Sequence, residues 1–170
     1  YYTEPAMRLC ARLADSSLGG KVFLCNSGAE ANECAIKLAL KHAHDRGITD
    51  PEIIVLDAAF HGRTLGTLAG TPRLAREDLF GPLPAGFVSV PRDDPDALRA
   101  AVGERTAAAM FVVSHHVAPT GQVDLAAFIE IAHQRGVPVI VDMASEYDLT
   151  GAAPTGADLV SWSAHKFLGG

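Results

Sequence analysis

The sequence predicts an α/β fold in which a mostly parallel sheet is covered by helices on both faces. Two observations lead to this prediction. Short apolar or β-branched runs alternate with amphipathic stretches along all 170 residues, and this alternation is typical of βαβ units. Hydrophobic residues make up 48% of the chain, which is enough for a sizeable core between the sheet and its helices.

Four stretches repeat apolar residues at helical spacing and are followed by a Gly or a polar turn that can end a helix. They are residues 6–16, 29–46, 96–104 and 124–135. Six shorter runs are rich in apolar or β-branched residues, as strands are. They are residues 21–25, 52–57, 86–90, 108–113, 137–142 and 157–161. The run 137–142 is apolar almost throughout, which is typical of a central parallel strand, whereas the segment 71–84 contains three prolines and is expected to form an irregular surface excursion.

The composition indicates which partners to exclude and which cellular compartment to expect. The chain has 14 Lys and Arg against 20 Asp and Glu, a net charge of −6, and no basic stripe, so we expect no nucleic-acid partner. No apolar run approaches the length of about 18 residues that a membrane span needs, so we expect no membrane association. Three cysteines, Cys10, Cys25 and Cys34, lack a CxxC spacing, which favours a reducing cytoplasm.

Parallel sheets bind ligands at the carboxyl ends of their strands, so the residues after each strand are the first candidates for a site. Asn26 to Glu33 lie between an expected strand and a long helix. Small residues at Gly28 and Ala29 would let the backbone N–H groups approach a phosphate. The alternative is helix capping alone, because Ser27 and Glu30 have the spacing of a capping box.

The segment after the second strand carries Phe60, His61 and Arg63. An aromatic ring can stack on a flat heterocycle, and a guanidinium can bind a carboxylate with two hydrogen bonds. Alternatively, Phe60 is a core residue and Arg63 a surface charge. Of the adjacent His115 and His116, at most one can face the crevice, and because no carboxylate lies at a ligand-like spacing, we expect no metal site.

Asp142 ends the apolar run 137–142. A carboxylate there would lie at the floor of the crevice and need a cationic partner; the alternative is that Asp142 is an N-cap for the next element.

Lys166 follows the last strand in a turn rich in Ser and Gly, and by itself such a lysine is usually exposed. Together with a phosphate-binding helix start and an aromatic loop, these two residues are what pyridoxal phosphate requires, since lysine forms a Schiff base with its carbonyl and an acid pairs with its ring nitrogen.

With these motifs, the sequence resembles a fold-type I pyridoxal-phosphate enzyme. Up to about residue 71 it resembles class III aminotransferases of the acetylornithine and ornithine type, through the blocks 22–33 and 60–64. From about residue 96 it is instead similar to class V aminotransferases and cysteine desulfurases, or to selenocysteine-synthase-like enzymes, through the motifs at 156–158 and 163–166.

The class III resemblance implies a role for each matching residue of the first half. Ser27, Gly28 and Ala29 are expected to bind the cofactor phosphate. Phe60 is expected to stack on the cofactor ring, and Arg63 to hold a substrate carboxylate.

The second resemblance implies the remaining roles. Asp142 pairs with the ring nitrogen and Ala144 packs on the ring face. Ser163 and His165 help to hold the phosphate, and Lys166 carries the cofactor as a Schiff base and transfers the α-proton.

The expected activity is amino-group transfer between an amino acid and a 2-oxo acid. Two alternatives stay open: an elimination or desulfuration on the same cofactor, and a truncated segment that is inactive alone. The resemblance also implies a homodimer, and that residues 1–170 are part of the large cofactor-binding domain, without an N-terminal segment and a small C-terminal domain.

Overall fold

The computed structural model describes residues 2–114, 123–144 and 156–164. These residues form six helices and five strands. The helices are α1 (Glu4–Ser16), α2 (Gly28–Asp45), α3 (Leu65–Ala69), α4 (Pro72–Ala75), α5 (Pro95–Ala101) and α6 (Leu125–His133). The strands are β1 (Glu52–Leu56), β2 (Phe87–Val90), β3 (Thr106–Val112), β4 (Val139–Met143) and β5 (Leu159–Trp162). No helix among the described residues combines the length and the apolar character that crossing a membrane requires.

The five strands form one parallel sheet in the order β2-β1-β3-β4-β5. The chain moves outward from β1 to β2, then crosses over β1 to reach β3 and continues in the other direction. Such a reversal of strand order opens a crevice at the carboxyl edge of a parallel sheet. At that edge Asp142 of β4 lies in register between Val112 of β3 and Ser161 of β5.

Each face of the sheet is covered by its own layer of helices, because alternate strand residues point to opposite sides. On one face, Ala35, Ile36 and Ala39 of α2 pack against Ile53 and Val55 of β1. On the other, α5 and α6 pack against a cluster that includes Ile54, Leu56, Ala109, Phe111, Val139 and Val141. Phe128 of α6 meets Phe111 edge to face, with ring centroids 5.2 Å apart. The predicted α/β fold with two helical layers is confirmed.

One predicted strand is wrong. Residues 21–25 form no strand among the described residues, and Phe23 and Leu24 are 64% and 45% exposed. The apolar composition of this run is that of a strand, but a strand also needs a neighbour with which to exchange backbone hydrogen bonds. The run is not part of the five-stranded sheet that the described residues form, so it has no such neighbour.

The other predicted elements form within a few residues of their expected bounds. The segment 71–84 is largely exposed and irregular, as expected, although α4 forms a short helix within it. Neither α3 nor α4 was predicted, because four- and five-residue helices carry too few residues to show a periodicity.

Candidate active site

The first turn of α2 begins at the carboxyl edge of the sheet. Ser27 is its N-cap, and the Ser27 hydroxyl accepts a hydrogen bond from the Glu30 N–H at 3.1 Å. The Glu30 carboxylate in turn accepts from the Asn26 N–H at 2.6 Å. The capping interaction expected from the sequence therefore forms, with its return bond one residue earlier than in a standard capping box. The N–H groups of Gly28 and Ala29 have no acceptor among the described residues.

Two loops approach this turn so closely that only small residues fit. A Cβ atom added to Gly28 would lie 3.0 Å from the Cβ of Ala144, in the loop after β4. A Cβ atom added to Gly62, in the loop after β1, would lie 3.3 Å from the Cβ of Ala29 and 2.5 Å from Thr67 Oγ1. Gly62 also has a φ of 138°, which side chains rarely adopt. The start of α2 is thus held between the carboxyl ends of β1 and β4.

The Asp142 carboxylate lies beside this turn and is almost fully buried, with 4% of its side chain exposed. Its Oδ2 accepts hydrogen bonds from Asn32 Nδ2 at 2.6 Å and from His61 Nδ1 at 2.9 Å. Its Oδ1 accepts from the Ala144 N–H at 3.0 Å. A buried charge is stable only when it is paired or fully hydrogen-bonded, and bonds to a charged group contribute about 1.5–3 kcal/mol each. The three donors therefore satisfy the buried Asp142 side chain.

Asn32 connects Asp142 to two further elements. Its Nδ2 also donates to the backbone carbonyl of His61 at 2.8 Å, and its Oδ1 accepts from the Ser161 hydroxyl at 2.6 Å. The His61 ring is buried, and its Nε2 has no hydrogen-bond partner among the described residues. Helix α2, the loop after β1, β4 and β5 thus meet in one buried polar network.

Phe60 and Arg63 lie in the loop after β1. The Phe60 ring is 46% exposed, so the alternative that it is a core residue is wrong. The Arg63 guanidinium carbon lies 5.1 Å from the centroid of the Phe60 ring, within the range of a cation–π contact. Arg63 is exposed, as a surface charge would be, and its head group is also accessible to an anionic ligand.

Glu33 holds the end of this loop. Its carboxylate accepts from the Thr64 hydroxyl and from the backbone N–H groups of Gly66 and Thr67, the latter two at 3.1 and 3.3 Å. A negative charge at these N–H groups satisfies donors that the first turn of α3 leaves free. Glu33 therefore ties α2 to the segment that follows Arg63.

The structure brings together the predicted residues Ser27, Gly28, Ala29, Asp142 and Ala144. Ser163 is buried directly after β5. The predicted residues His165 and Lys166, and the pair His115 and His116, lie outside the described residues.

Sequence reasoning missed Asn32, Glu33 and Ser161, and named His61 without a role. The available signal was helical spacing, since Asn32 lies four residues after Gly28 and so shares its face of α2.

Comparison with known proteins identifies the family. Residues 1–135 match the family described as aminotransferase class-III. The acetylornithine aminotransferase of Methanocaldococcus jannaschii is 50% identical over 111 residues, which are 65% of this chain and 28% of that protein. The chain therefore spans less than a third of the length of this curated relative.

Two solved structures are similar in fold. An ornithine aminotransferase from Toxoplasma gondii matches 92% of this chain and 39% of its own, with a TM-score of 0.79 and 24% identity. The N-acetylornithine aminotransferase from Stenotrophomonas maltophilia K279a matches 84% of this chain and 35% of its own, with a TM-score of 0.64 and 28% identity.

Proposed function

Because the chain belongs to the class-III aminotransferase family, we propose that it is part of a pyridoxal-phosphate-dependent enzyme that transfers an amino group between an amino acid and a 2-oxo acid. The observation that carries the proposal is the buried Asp142 carboxylate, fixed by three hydrogen bonds at the carboxyl edge of the sheet. An acidic side chain in this position is what the ring nitrogen of pyridoxal phosphate needs as a partner.

The residues present fit this cofactor. The N–H groups of Gly28 and Ala29 lack acceptors among the described residues, and the start of a helix favours a phosphate. An added side chain at Gly28 would meet Ala144, so the absence of one keeps the backbone open to a ligand. We assign Ser27, Gly28 and Ala29 to the phosphate and Ala144 to the ring face.

Asp142 is assigned to the ring nitrogen, where its charge would keep a proton on that atom. When bound, the cofactor supplies an electron sink for the electron pair that is left when the α-proton of an amino acid is removed. Lys166 is the proposed attachment point and the group that moves this proton, and it lies outside the described residues. Ser163 and His165 are proposed as further phosphate ligands.

Phe60 and Arg63 are assigned to the ring and to a substrate carboxylate. The exposure of the Phe60 ring supports the first assignment, since a stacking residue must be accessible to its ligand. Arg63 would exchange its contact with the Phe60 ring for two hydrogen bonds to a carboxylate. By orienting the substrate, this contact would align the bond to be broken with the ring system.

The names of the relatives suggest a first substrate to test. Acetylornithine is the amino donor that we propose, because the relative with 50% identity is an acetylornithine aminotransferase. The expected departure from class III at about residue 96 is not borne out, because the class-III match runs to residue 135. We therefore limit the proposed divergence toward class V, cysteine-desulfurase-like or selenocysteine-synthase-like enzymes to the segment after residue 135, on the motifs at 156–158 and 163–166.

A further part of the proposal concerns assembly and location. We propose that residues 1–170 belong to the large cofactor-binding domain of a homodimer. The exposed apolar side chains of Met7 and Leu9 in α1, a helix without buried residues, support an association surface. The free thiols of Cys10, Cys25 and Cys34 support a reducing cytoplasm.

The proposal is tested on the full chain with added pyridoxal phosphate. We expect a visible absorbance band, and after borohydride reduction and peptide mapping a cofactor adduct on Lys166 that is absent from Lys166→Ala. With acetylornithine, product beyond one equivalent per bound cofactor should form only when a 2-oxo acid is supplied to accept the amino group. Release of ammonia without a 2-oxo acid would support the elimination alternative instead, and an adduct of equal stoichiometry in Lys166→Ala would refute the lysine assignment.

A further inference from the structure

Four buried polar side chains from different elements meet at the carboxylate that is assigned to the cofactor. Asn32 comes from α2, His61 from the loop after β1, Asp142 from β4 and Ser161 from β5, and each is 3% exposed or less. Polar groups at this depth are expensive to desolvate, and they are retained where their hydrogen bonds are needed. The arrangement of donors and acceptors in this network indicates what it does.

The hydrogen bonds use the two carboxylate oxygens of Asp142 unequally. Each carboxylate oxygen has room for about two donors. Oδ2 already accepts from Asn32 Nδ2 and His61 Nδ1, at 2.6 and 2.9 Å. Oδ1 accepts from the Ala144 N–H at 3.0 Å. The Ser161 hydroxyl is 3.4 Å from Oδ1, but its single proton is directed to Asn32 Oδ1 at 2.6 Å. Among the described contacts, therefore, the acceptor position that remains is on Oδ1.

The orientation of the Asn32 amide is determined by its neighbours. Its two Nδ2 protons meet two acceptors, the His61 carbonyl and Asp142 Oδ2. Its Oδ1 meets a donor, the Ser161 hydroxyl. Rotating the amide by half a turn would set oxygen against both acceptors, so only one orientation satisfies all three contacts.

His61 completes the network as a hydrogen-bond donor to Asp142. Its Nδ1 faces the carboxylate and so carries the proton, while its Nε2 has no partner among the described residues. The His61 ring therefore uses Nδ1 for its contact with Oδ2, on the side of the carboxylate that Asn32 also occupies.

We propose that Asn32 is a positioning residue which, with His61, occupies Oδ2 of Asp142 and presents Oδ1 to the ring nitrogen of the cofactor. This inference rests on the proposed function, because it assigns a role relative to pyridoxal phosphate. Asn32 itself does not touch the reacting atoms; it acts through the carboxylate. Ser161 acts one step further away, by holding the Asn32 amide in its orientation.

The test compares Asn32→Ala, Ser161→Ala and the wild-type full chain, with Thr106→Val as a matched control. Thr106 is also 3% exposed, and its hydroxyl also takes part in a hydrogen bond, which it accepts from the Gly103 N–H at 2.9 Å, but Thr106 lies at the opposite end of the sheet. Two quantities are measured: the dissociation constant of pyridoxal phosphate by absorbance titration, and the ¹⁵N chemical shift of bound cofactor labelled at the ring nitrogen. The second reports protonation of that nitrogen, which a purely structural role for Asn32 would not change.

We expect Asn32→Ala to raise the dissociation constant by up to about tenfold, because the Asp142 carboxylate loses a bond that holds it in place, and part of that bond's free energy is lost from the free protein as well. Its ring-nitrogen resonance should move toward that of the unprotonated ring at the same pH. Ser161→Ala should move it less in the same direction, and Thr106→Val should leave it in place.

A folded Asn32→Ala with the wild-type dissociation constant and resonance would overturn the inference while the proposed function stood. If circular dichroism shows that Asn32→Ala does not fold, Ser161→Ala decides in the same way: a wild-type resonance overturns the inference, and a shifted one supports it. A wild-type chain that binds no pyridoxal phosphate would overturn the inference and the proposed function together.

Discussion

The contact between Gly28 and Ala144 makes the start of α2 sensitive to a single methyl group. In Gly28→Ala, the new Cβ atom would lie 3.0 Å from the Ala144 Cβ. Carbon atoms in ordinary contact are about 3.5–4.0 Å apart, so the two segments would have to separate by roughly 0.5–1 Å. Since these segments carry the proposed phosphate-binding turn and the loop after Asp142, the separation would alter stability and cofactor binding together.

The magnitude follows from two opposing terms. Overpacking of this kind destabilises a protein by about 1–3 kcal/mol. Replacing Gly by Ala reduces the entropy of the unfolded chain and stabilises by about 0.4–1 kcal/mol where the backbone conformation is compatible. We therefore expect Gly28→Ala to lower the free energy of unfolding by about 0.5–2 kcal/mol. In an Ala144→Gly background the opposing methyl is absent, so the same substitution should be neutral or slightly stabilising.

The assay is a double-mutant cycle measured by urea unfolding of the wild type, the two single variants and the double variant. Gly103→Ala is the control, because an added Cβ there meets nothing within 4 Å. The dissociation constant of pyridoxal phosphate, measured for the same proteins, should rise in Gly28→Ala relative to wild type, and should rise less when the double variant is compared with Ala144→Gly. Equal destabilisation by Gly28→Ala in both backgrounds would refute the reasoning, since the effect would then not arise from the contact with Ala144.

Three further predictions concern charges. Asp142→Asn keeps the size of the side chain but removes its charge, so the affinity for pyridoxal phosphate should fall by roughly 10–100-fold in an absorbance titration. The control Asp96→Asn, at an exposed site, should leave this affinity unchanged. Glu33→Ala should lower the free energy of unfolding by about 1–3 kcal/mol, because it leaves the N–H groups of Gly66 and Thr67 unpaired. Hydrogen exchange at these two N–H groups should become faster, and an unchanged exchange rate would contradict the capping role of Glu33. The Lys41 hydrogen bond lowers the pKa of Asp45 from its ordinary 3.8, so the small stability that this pair contributes should be present above that pH and be lost as the pH falls through the lowered pKa. Unfolding midpoints of the wild type and Lys41→Met should therefore converge in acid, and a constant difference would contradict the assignment.

The elements that could be predicted from the sequence are those whose stability depends on their own pattern. The strand β4 is apolar almost throughout and α2 repeats apolar residues at helical spacing, so both were identified close to their observed bounds. Residues 21–25 show the limit of this reasoning, since they have the composition of a strand but no neighbour among the described residues. Helix α3 shows the converse, because its five residues carry no periodicity and its first turn is stabilised by Glu33, more than thirty residues earlier.

In the candidate site, too, some residues could be predicted from the sequence and others could not. Asp142 could be identified because a carboxylate at the end of an apolar strand stands out in the sequence. Asn32 could not be assigned, because its role depends on contacts with residues 29, 110 and 129 positions away along the chain. An amide within a helix gives no indication of such partners until the sheet is assembled.

The spacing within α2 explains why one helix serves several parts of the site. Residues four apart lie on one face of a helix, so Gly28 and Asn32 form one stripe, and Ala29 and Glu33 form the next. The first stripe faces the loop after β4 and the Asp142 carboxylate. The second faces the loop after β1, through Gly62 and the segment that follows Arg63.

A rotation or shift of α2 would therefore move three features together. They are the proposed phosphate-binding turn, the Asn32 side chain that bonds to Asp142, and the Glu33 side chain that holds the segment after Arg63. Helix α2 is also packed into the core by Ala35, Ile36 and Ala39, which resist such a movement. Substitutions in this buried part of α2, away from the site, should for that reason weaken cofactor binding as well as stability.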